Sequence, residues 1–290
     1  MSFLFNYQLN YQSDCQNMTK LPFQLFGMSQ QGSSHQRISL GNQDSGSVFV
    51  GKNLIIGVVA DGCTRGKNID GFSSNQVGAH IACNLTVKIV RRLIQRKKLN
   101  LEEFKEEYEN SLFRQYKRLL NSFSPWKNER SLILSNLFSS TFVAFVITES
   151  EYIVFHYGDG DVFINNYHYN LSSSQGKYFT NYLVEKSSNF FLRKNNINFL
   201  KSGKTIDLEN ILIATDGFVD NQIKKNDEFQ KFFFDKKPLF NQTGFSDRKT
   251  EFRSNVLNKI IFKDSHQDWP LDDATFISLN KVLKIKSTRI

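Results

Sequence analysis

Cysteine is scarce in this sequence, with Cys15, Cys63 and Cys83 the three among 290 residues. An odd number without metal-ligand spacing excludes a disulfide framework and points to a reducing compartment. Long hydrophobic runs are missing as well. The strongest, Leu54–Ala60 and Phe142–Ile147, are far too short to cross a bilayer, so no membrane partner is expected. The chain does not begin with a basic stretch leading into an apolar one, so no secretion signal is visible and a cytoplasmic location is the expectation. Two motifs are also absent: a Gly-x-Ser-x-Gly nucleophile elbow, and a Gly-rich loop ending in Lys-Ser/Thr. Their absence disfavours a serine nucleophile and nucleotide hydrolysis of the common kind.

What is present describes a globular chain. Hydrophobic residues make up 40%, aromatics 14% and charged residues 22%, a mix able to bury a substantial core. The formal charge is +9, and the densest basic run is Lys88, Arg91, Arg92, Arg96, Lys97 and Lys98. Glu102, Glu103, Glu106, Glu107 and Glu109 follow it. Opposed blocks on neighbouring helices read as solvated, mutually attractive faces. No nucleic-acid motif accompanies them, so nucleic acid is not expected as a partner, whereas acidic or phosphorylated partners fit the charge.

Residues 1–31 are Asn-, Gln- and Ser-rich with little periodicity, and are read as an arm or first edge strand. Ser47–Val50, the turn Gly51-Lys52-Asn53 and the apolar Leu54–Ala60 predict a hairpin whose second strand is buried on both faces. From Ser73, with Gln76 three places on as a capping box, Val77, Ile81, Leu85, Ile89 and Leu93 predict an amphipathic helix. Leu101, Phe104, Tyr108, Leu112, Tyr116 and Leu119 predict a second helix packing on the first. Strand-like segments follow at 141–147, 152–156, 162–165, 211–214 and 274–279. Residues 221–248 read as a loop or flap, and 253–262 carry a weak helical pattern. No linker divides the chain, so the expectation is a single α+β domain over 32–280, with antiparallel sheets covered by helices and a basic tail at 281–290.

The chemistry lies where apolar runs stop at aspartates. Ile55–Ala60 runs into Asp61-Gly62, Ile153–Tyr157 into Gly158-Asp159-Gly160-Asp161, and Ile211–Thr215 into Asp216-Gly217. Asp272-Asp273 opens the last strand, and Asn42-Gln43-Asp44 precedes the first. One Asp-Gly pair is ordinary turn chemistry. Several carboxylates gathered at the ends of buried strands repel one another unless cations compensate. Hard divalent cations such as magnesium or manganese take such oxygen donors, whereas zinc would want a His/Cys cluster that is missing. Two such ions can activate a water against a phosphoryl group without any protein nucleophile.

These residues, in this order, resemble the type 2C metal-dependent protein serine/threonine phosphatases, in their bacterial branch with a Ser-His…Gln-Asp opening. That opening reads Gly32-Ser33-Ser34-His35, then Asn42-Gln43-Asp44-Ser45. The segments VVADGC…SSNQVGAHIA, LFSSTFVAFVI, YGDGDVFI, LIATDGFVD and DDATFISL fit the family's successive motifs over roughly residues 32–280. The resemblance implies two antiparallel β-sheets sandwiched between pairs of helices. It also implies a monomeric enzyme acting on phosphorylated protein with two, or three, Mn2+ or Mg2+ ions.

Position by position, the resemblance makes Asp61 the bridging ligand and the Gly62 carbonyl a ligand of the second ion. Asp216 and Asp272 complete the first ion, with Asp273 supporting the turn. Gln43 stands where many members bind metal through water with Glu. Asp44 orients waters, and Asp159 with Asp216 holds a third, looser ion. His35 is a catalytic candidate. The family's frequent phosphate-binding Arg falls here on Ser39, leaving Arg37 and Arg65 as candidates, and Cys63 replaces a general-acid His. Such departures keep two alternatives open: a catalytically silent binding or regulatory module, and a hydrolase of a small phosphorylated metabolite.

Overall fold

In a computed structural model, the residues described are 9–13, 20–32, 35, 41–62, 76–96, 101–122, 137–165, 167–171, 197–218 and 273–281. Eleven strands and two long helices lie among them. The strands are β1 (Leu9–Ser13), β2 (Phe23–Gln30), β3 (Ser45–Val50), β4 (Leu54–Ala60), β5 (Phe142–Thr148), β6 (Glu151–Tyr157), β7 (Asp161–Ile164), β8 (Tyr167–Asn170), β9 (Asn198–Lys204), β10 (Asn210–Ala214) and β11 (Ala274–Lys281). The helices are α1 (Gln76–Arg96) and α2 (Leu101–Ser122).

Two sheets form, in the orders β1-β3-β4-β5-β6-β9 and β2-β11-β10-β7-β8. Every pairing is antiparallel except β1 with β3, which is parallel. Period-two alternation explains the layering. On β4, Leu54, Ile56, Val58 and Ala60 face a core shared with α1 and α2, while Ile55 and Val59 face the core between the sheets. β5 divides in the same way, with Phe142, Ala144 and Val146 toward the helices and Val143, Phe145 and Ile147 toward the other sheet. Strands buried on both faces read as unbroken apolar runs, which is why these two were plain in the sequence. The α+β, two-sheet expectation is therefore met. The second helix pair of the expected sandwich, the 221–248 flap and the 253–262 helical pattern lie outside the described residues.

Helix α1 buries Ile89 and Leu93 of the expected four-residue line, with Ile81 and Leu85 partly buried against the same core, and departs from it at the first turn. Val77 is 40% exposed, whereas Ala79, Ala82, Cys83, Thr86, Val87, Val90 and Leu93 are buried. Steps of four advance about 400°, so a line of i+4 residues drifts some 40° per step around a 3.6-residue helix. The helix stands close to the segment before β5 at its start. A Cβ on Gly78 would lie 2.7–2.9 Å from the backbone of Phe138. Gly78→Ala is thus expected to lower the urea midpoint by about 1–3 kcal/mol of stability, despite the better helix former. An unchanged midpoint would show that α1 can shift outward freely.

The two helices meet through a buried hydroxyl pair, Thr86 Oγ1 with Tyr108 at 2.7 Å. Phe104, Tyr108, Phe142 and Phe155 pack ring to ring beneath them. Burial and the missing solvent push the Tyr108 hydroxyl far above its usual range. Among the described residues no helix is long and apolar enough to cross a membrane.

Candidate metal centre

Strand pairing gathers the acids that the sequence left scattered. Ser45 pairs with Ala60, so Asp44 and Asp61 stand side by side at one end of the six-stranded sheet. Ala214 pairs with both Phe276 and Asp161, which places Thr215-Asp216, Asp273 and the 158–160 turn together at the end of the other sheet. Gly158 and Gly160 take φ of 85° and 129°, conformations that favour glycine. A Cβ on Gly160 would come within 2.7 Å of the Ala214 carbonyl oxygen. Only a glycine lets Asp159 approach the end of β10 by this route.

Hydrogen bonds link the two sheet ends. The Thr215 hydroxyl donates to Asp44 Oδ2 at 2.6 Å, and it accepts from the Thr275 backbone N–H at 2.9 Å. Thr275 is tied in turn to Ser29 at 2.6 Å, and the Asn42 amide donates to the Ser29 hydroxyl at 3.0 Å. Asn42 Oδ1 then accepts from the Asp44 N–H at 2.9 Å, closing a buried polar chain around the acid. Buried networks of this kind fix one arrangement because each unmade bond is costly.

Asp44 is 3% exposed, and its Oδ1 is buried without a hydrogen-bond partner. Burial holds its carboxyl well above the usual carboxylate range, and the nearby charges of Asp61, Asp273 and Asp216 push the same way. The Thr215 hydrogen bond opposes them. Four acids from three regions of the chain therefore share one electrostatic neighbourhood. A desolvated carboxylate with an unused oxygen, ringed by other carboxylates, fits hard divalent cations and their waters. Among the described residues no three Asp, Glu, His or Cys side chains enclose an ion by themselves. Asp272 lies outside the described residues.

Other expected residues fall in different places. Asp273 is a clamp: its carboxylate accepts from the backbone N–H of Gly32 at 2.7 Å and from that of Gln43. His35 Nδ1 lies 2.9 Å from the same carboxylate, so the structure ties this histidine to the clamp. Gln43 is buried at 3% exposure beside it. The Asp61 carbonyl accepts from the Thr141 N–H at 3.0 Å, while Gly62 is buried next to it. Arg37, Ser39, Cys63 and Arg65 lie outside the described residues. Asp161 is engaged by His168 Nε2 at 2.5 Å, with the imidazole stacked on Phe163 at 4.3 Å. That leaves Asp159, partly exposed, as the acid of this turn without such a partner role.

Sequence reasoning missed Thr215 as the bridge, and gave Asp273 the support of its turn but not its hold on Gly32 and Gln43. The Thr of the Thr-Asp-Gly run was the available signal for the first. Nothing in the sequence distinguishes Ser29 or Asn42. Asp273→Ala is expected to cost about 2–5 kcal/mol, because two buried backbone N–H groups lose their acceptor. A urea midpoint within error of the native value would refute the clamp.

The family model described as protein phosphatase 2C matches residues 31–254. Among solved structures, a bacterial serine phosphatase is 15% identical, with 90% of this chain and 98% of that chain covered at a TM-score of 0.51. The serine/threonine phosphatase Stp1 from Staphylococcus aureus is 14% identical over 91% of this chain and 96% of its own, also at 0.51. No curated protein matches the sequence. At such identities the structures establish a common fold, and the family match supplies the rest: this chain belongs to the protein phosphatase 2C family.

Proposed function

We propose that the protein hydrolyses phosphoserine or phosphothreonine in protein substrates, using divalent cations held at the joined ends of its two sheets. The observation that carries this reading is Asp44: buried, bonded across the sheets to Thr215, surrounded by three other aspartates, and left with one oxygen unpartnered. An acidic cluster of this kind is expensive without cations, which supports a metal-binding role for it.

Asp61, the Gly62 carbonyl, Asp216 and Asp272 would hold two ions, Mn2+ or Mg2+, that supply Lewis-acid activation of a water and neutralise charge on the phosphoryl group. Asp159 with Asp216 would hold a third. Asp44 acts through its free Oδ1, a fixed acceptor that orients a water for in-line attack. Thr215 keeps that carboxylate from rotating. Asp273 holds Gly32 and Gln43, and with Gln43 its neighbour Asp44, against the start of β11. The phosphoryl group itself would be gripped by Arg37 or Arg65.

Hydrolysis of a phosphothreonine peptide, measured with and without manganese, tests the reading. Manganese-dependent turnover supports it. Comparable rates on small phosphorylated metabolites would remove the claim of protein specificity. Manganese binding without any turnover would instead favour a silent regulatory module, the reading that Gln43 in place of a Glu motivates.

A further inference from the structure

Within the basic block of α1, Arg91 and Arg92 each meet an uncharged group. Arg91 lies over the Phe49 ring, 4.0 Å from its centroid, and Arg92 donates to the hydroxyl of Ser111 at 2.8 Å. Ser111 is 3% exposed, so the Arg92 guanidinium is drawn down between the helices. There it borders a cleft of about 350 Å³, lined by Arg92 and Leu93 of α1 and by Glu107, Ser111, Arg114, Gln115 and Arg118 of α2. The α2 residues recur at three- and four-residue steps, so they form a single stripe along that helix. Arg114 donates only to the Asn110 backbone carbonyl of its own helix, at 3.1 Å. Among the described residues, no carboxylate stands within ion-pair distance of Arg92, Arg114 or Arg118.

We propose that this cleft is an accessory site that binds the phosphoryl group of a phosphorylated protein segment. Charge supports a phosphomonoester. Three guanidiniums against Glu107 leave two positive charges, and a phosphoserine or phosphothreonine carries close to two negative ones at neutral pH. A carboxylate would balance half of that. A nucleic-acid backbone running along the stripe would overshoot it and meet Glu107, with no aromatic side chain in the lining to stack a base. Chemistry agrees, since guanidinium forks with neighbouring hydroxyl and amide groups are suited to bidentate phosphate recognition. Size argues for a carried group over a free ion. The cleft has room for about ten waters, enough for a phosphoryl group and the side chain that bears it.

The site is separate from the acidic cluster. Gln76, at the start of α1, approaches Gly41 near Asp44, and Arg92 lies sixteen residues further on, about 24 Å along the helix axis. Binding here does not depend on whether the chain is an active phosphatase, so the two readings can fail independently.

The test is fluorescence anisotropy in EDTA, with a labelled phosphothreonine peptide, its unphosphorylated counterpart and inorganic phosphate as competitor. Arg114→Glu with Arg118→Glu should weaken phosphopeptide binding at least about 30-fold, and both positions are exposed, so folding should hold by circular dichroism. Arg92→Lys keeps the charge but loses the fork, and should weaken binding about tenfold. The unphosphorylated peptide should bind at least about tenfold more weakly, and affinity should fall with salt. With manganese, hydrolysis of a small aryl phosphate should stay within about twofold in the double variant. Equal binding by native and double variant would overturn the site. Equal binding of the unphosphorylated peptide would overturn the phosphoryl assignment. Inorganic phosphate binding as tightly as the peptide would overturn the peptide as occupant.

Discussion

Asp216→Asn should reduce manganese-dependent hydrolysis of a phosphothreonine peptide by about a thousandfold or more. Asp216 opens the short turn after β10, and its Oδ1 accepts from the Gly217 N–H at 2.8 Å. An asparagine keeps that oxygen and so keeps the turn. What it removes is one negative charge from the cluster around Asp44. Cation stabilisation of a phosphoryl transition state is worth several kcal/mol, and each 1.4 kcal/mol is a factor of ten in rate. A correctly folded variant that loses activity, beside a native chain that needs manganese, would establish the centre. Activity that survives the substitution, or that ignores manganese, would remove Asp216 from it.

The second large effect has opposite signs in the presence and absence of metal. Asp44→Asn should stabilise the metal-free protein at neutral pH by about 2 kcal/mol or more, because it removes a carboxyl whose ionisation is opposed by burial and by three neighbouring aspartates. For a protein of this size that is several degrees in Tm. The pH dependence follows from the raised pKa. In the window between the unfolded carboxyl value and the higher folded one, the native state binds the proton that the unfolded state has released. Stability of the metal-free native chain therefore falls as pH rises through that window, and is recovered as pH drops back through the folded pKa. The asparagine variant lacks this slope, so its advantage grows with pH and levels off above the folded value.

Saturating manganese should reverse the order. At a hundred times Kd, a ligand adds about 2.7 kcal/mol to the native chain, and the variant should gain less. Differential scanning fluorimetry across pH, with and without manganese, reads both effects. A variant no more stable than the native chain in EDTA would show that Asp44 is not held as a buried, repelled carboxylate.

The elements legible in advance were those whose burial alone dictates their pattern. Strands β4 and β5 lie between the helix layer and the second sheet, so every residue but the terminal Thr148 is apolar and the run stands out. Strand β9 did not stand out: Asn198–Lys204 is largely exposed or half-exposed and carries a register shift opposite Val154 and Phe155. Its place is fixed by hydrogen bonding to β6, which leaves little mark on side-chain choice. Helix α1 was legible as a helix and largely in the face it buries; the exposure of Val77 departs from the pattern at its start, where Gly78 meets the backbone at Phe138.

The candidate centre divides along the same line. The residue types at strand ends, each an aspartate next to a glycine or another polar turn residue, are local features, and the sequence determined them by itself. Their order along the chain also carried the family resemblance. Tertiary structure alone decided that Asp44, Asp61, Asp216 and Asp273 share one neighbourhood, since they lie up to 229 positions apart and meet through the pairing of β3 with β4, of β10 with β11, and the hydrogen bonds that join the two sheets. It also decided the roles of Thr215 and Asp273. A hydroxyl that spans two sheets and a carboxylate that receives backbone N–H groups from a distant segment depend on long-range geometry, and no local pattern encodes that.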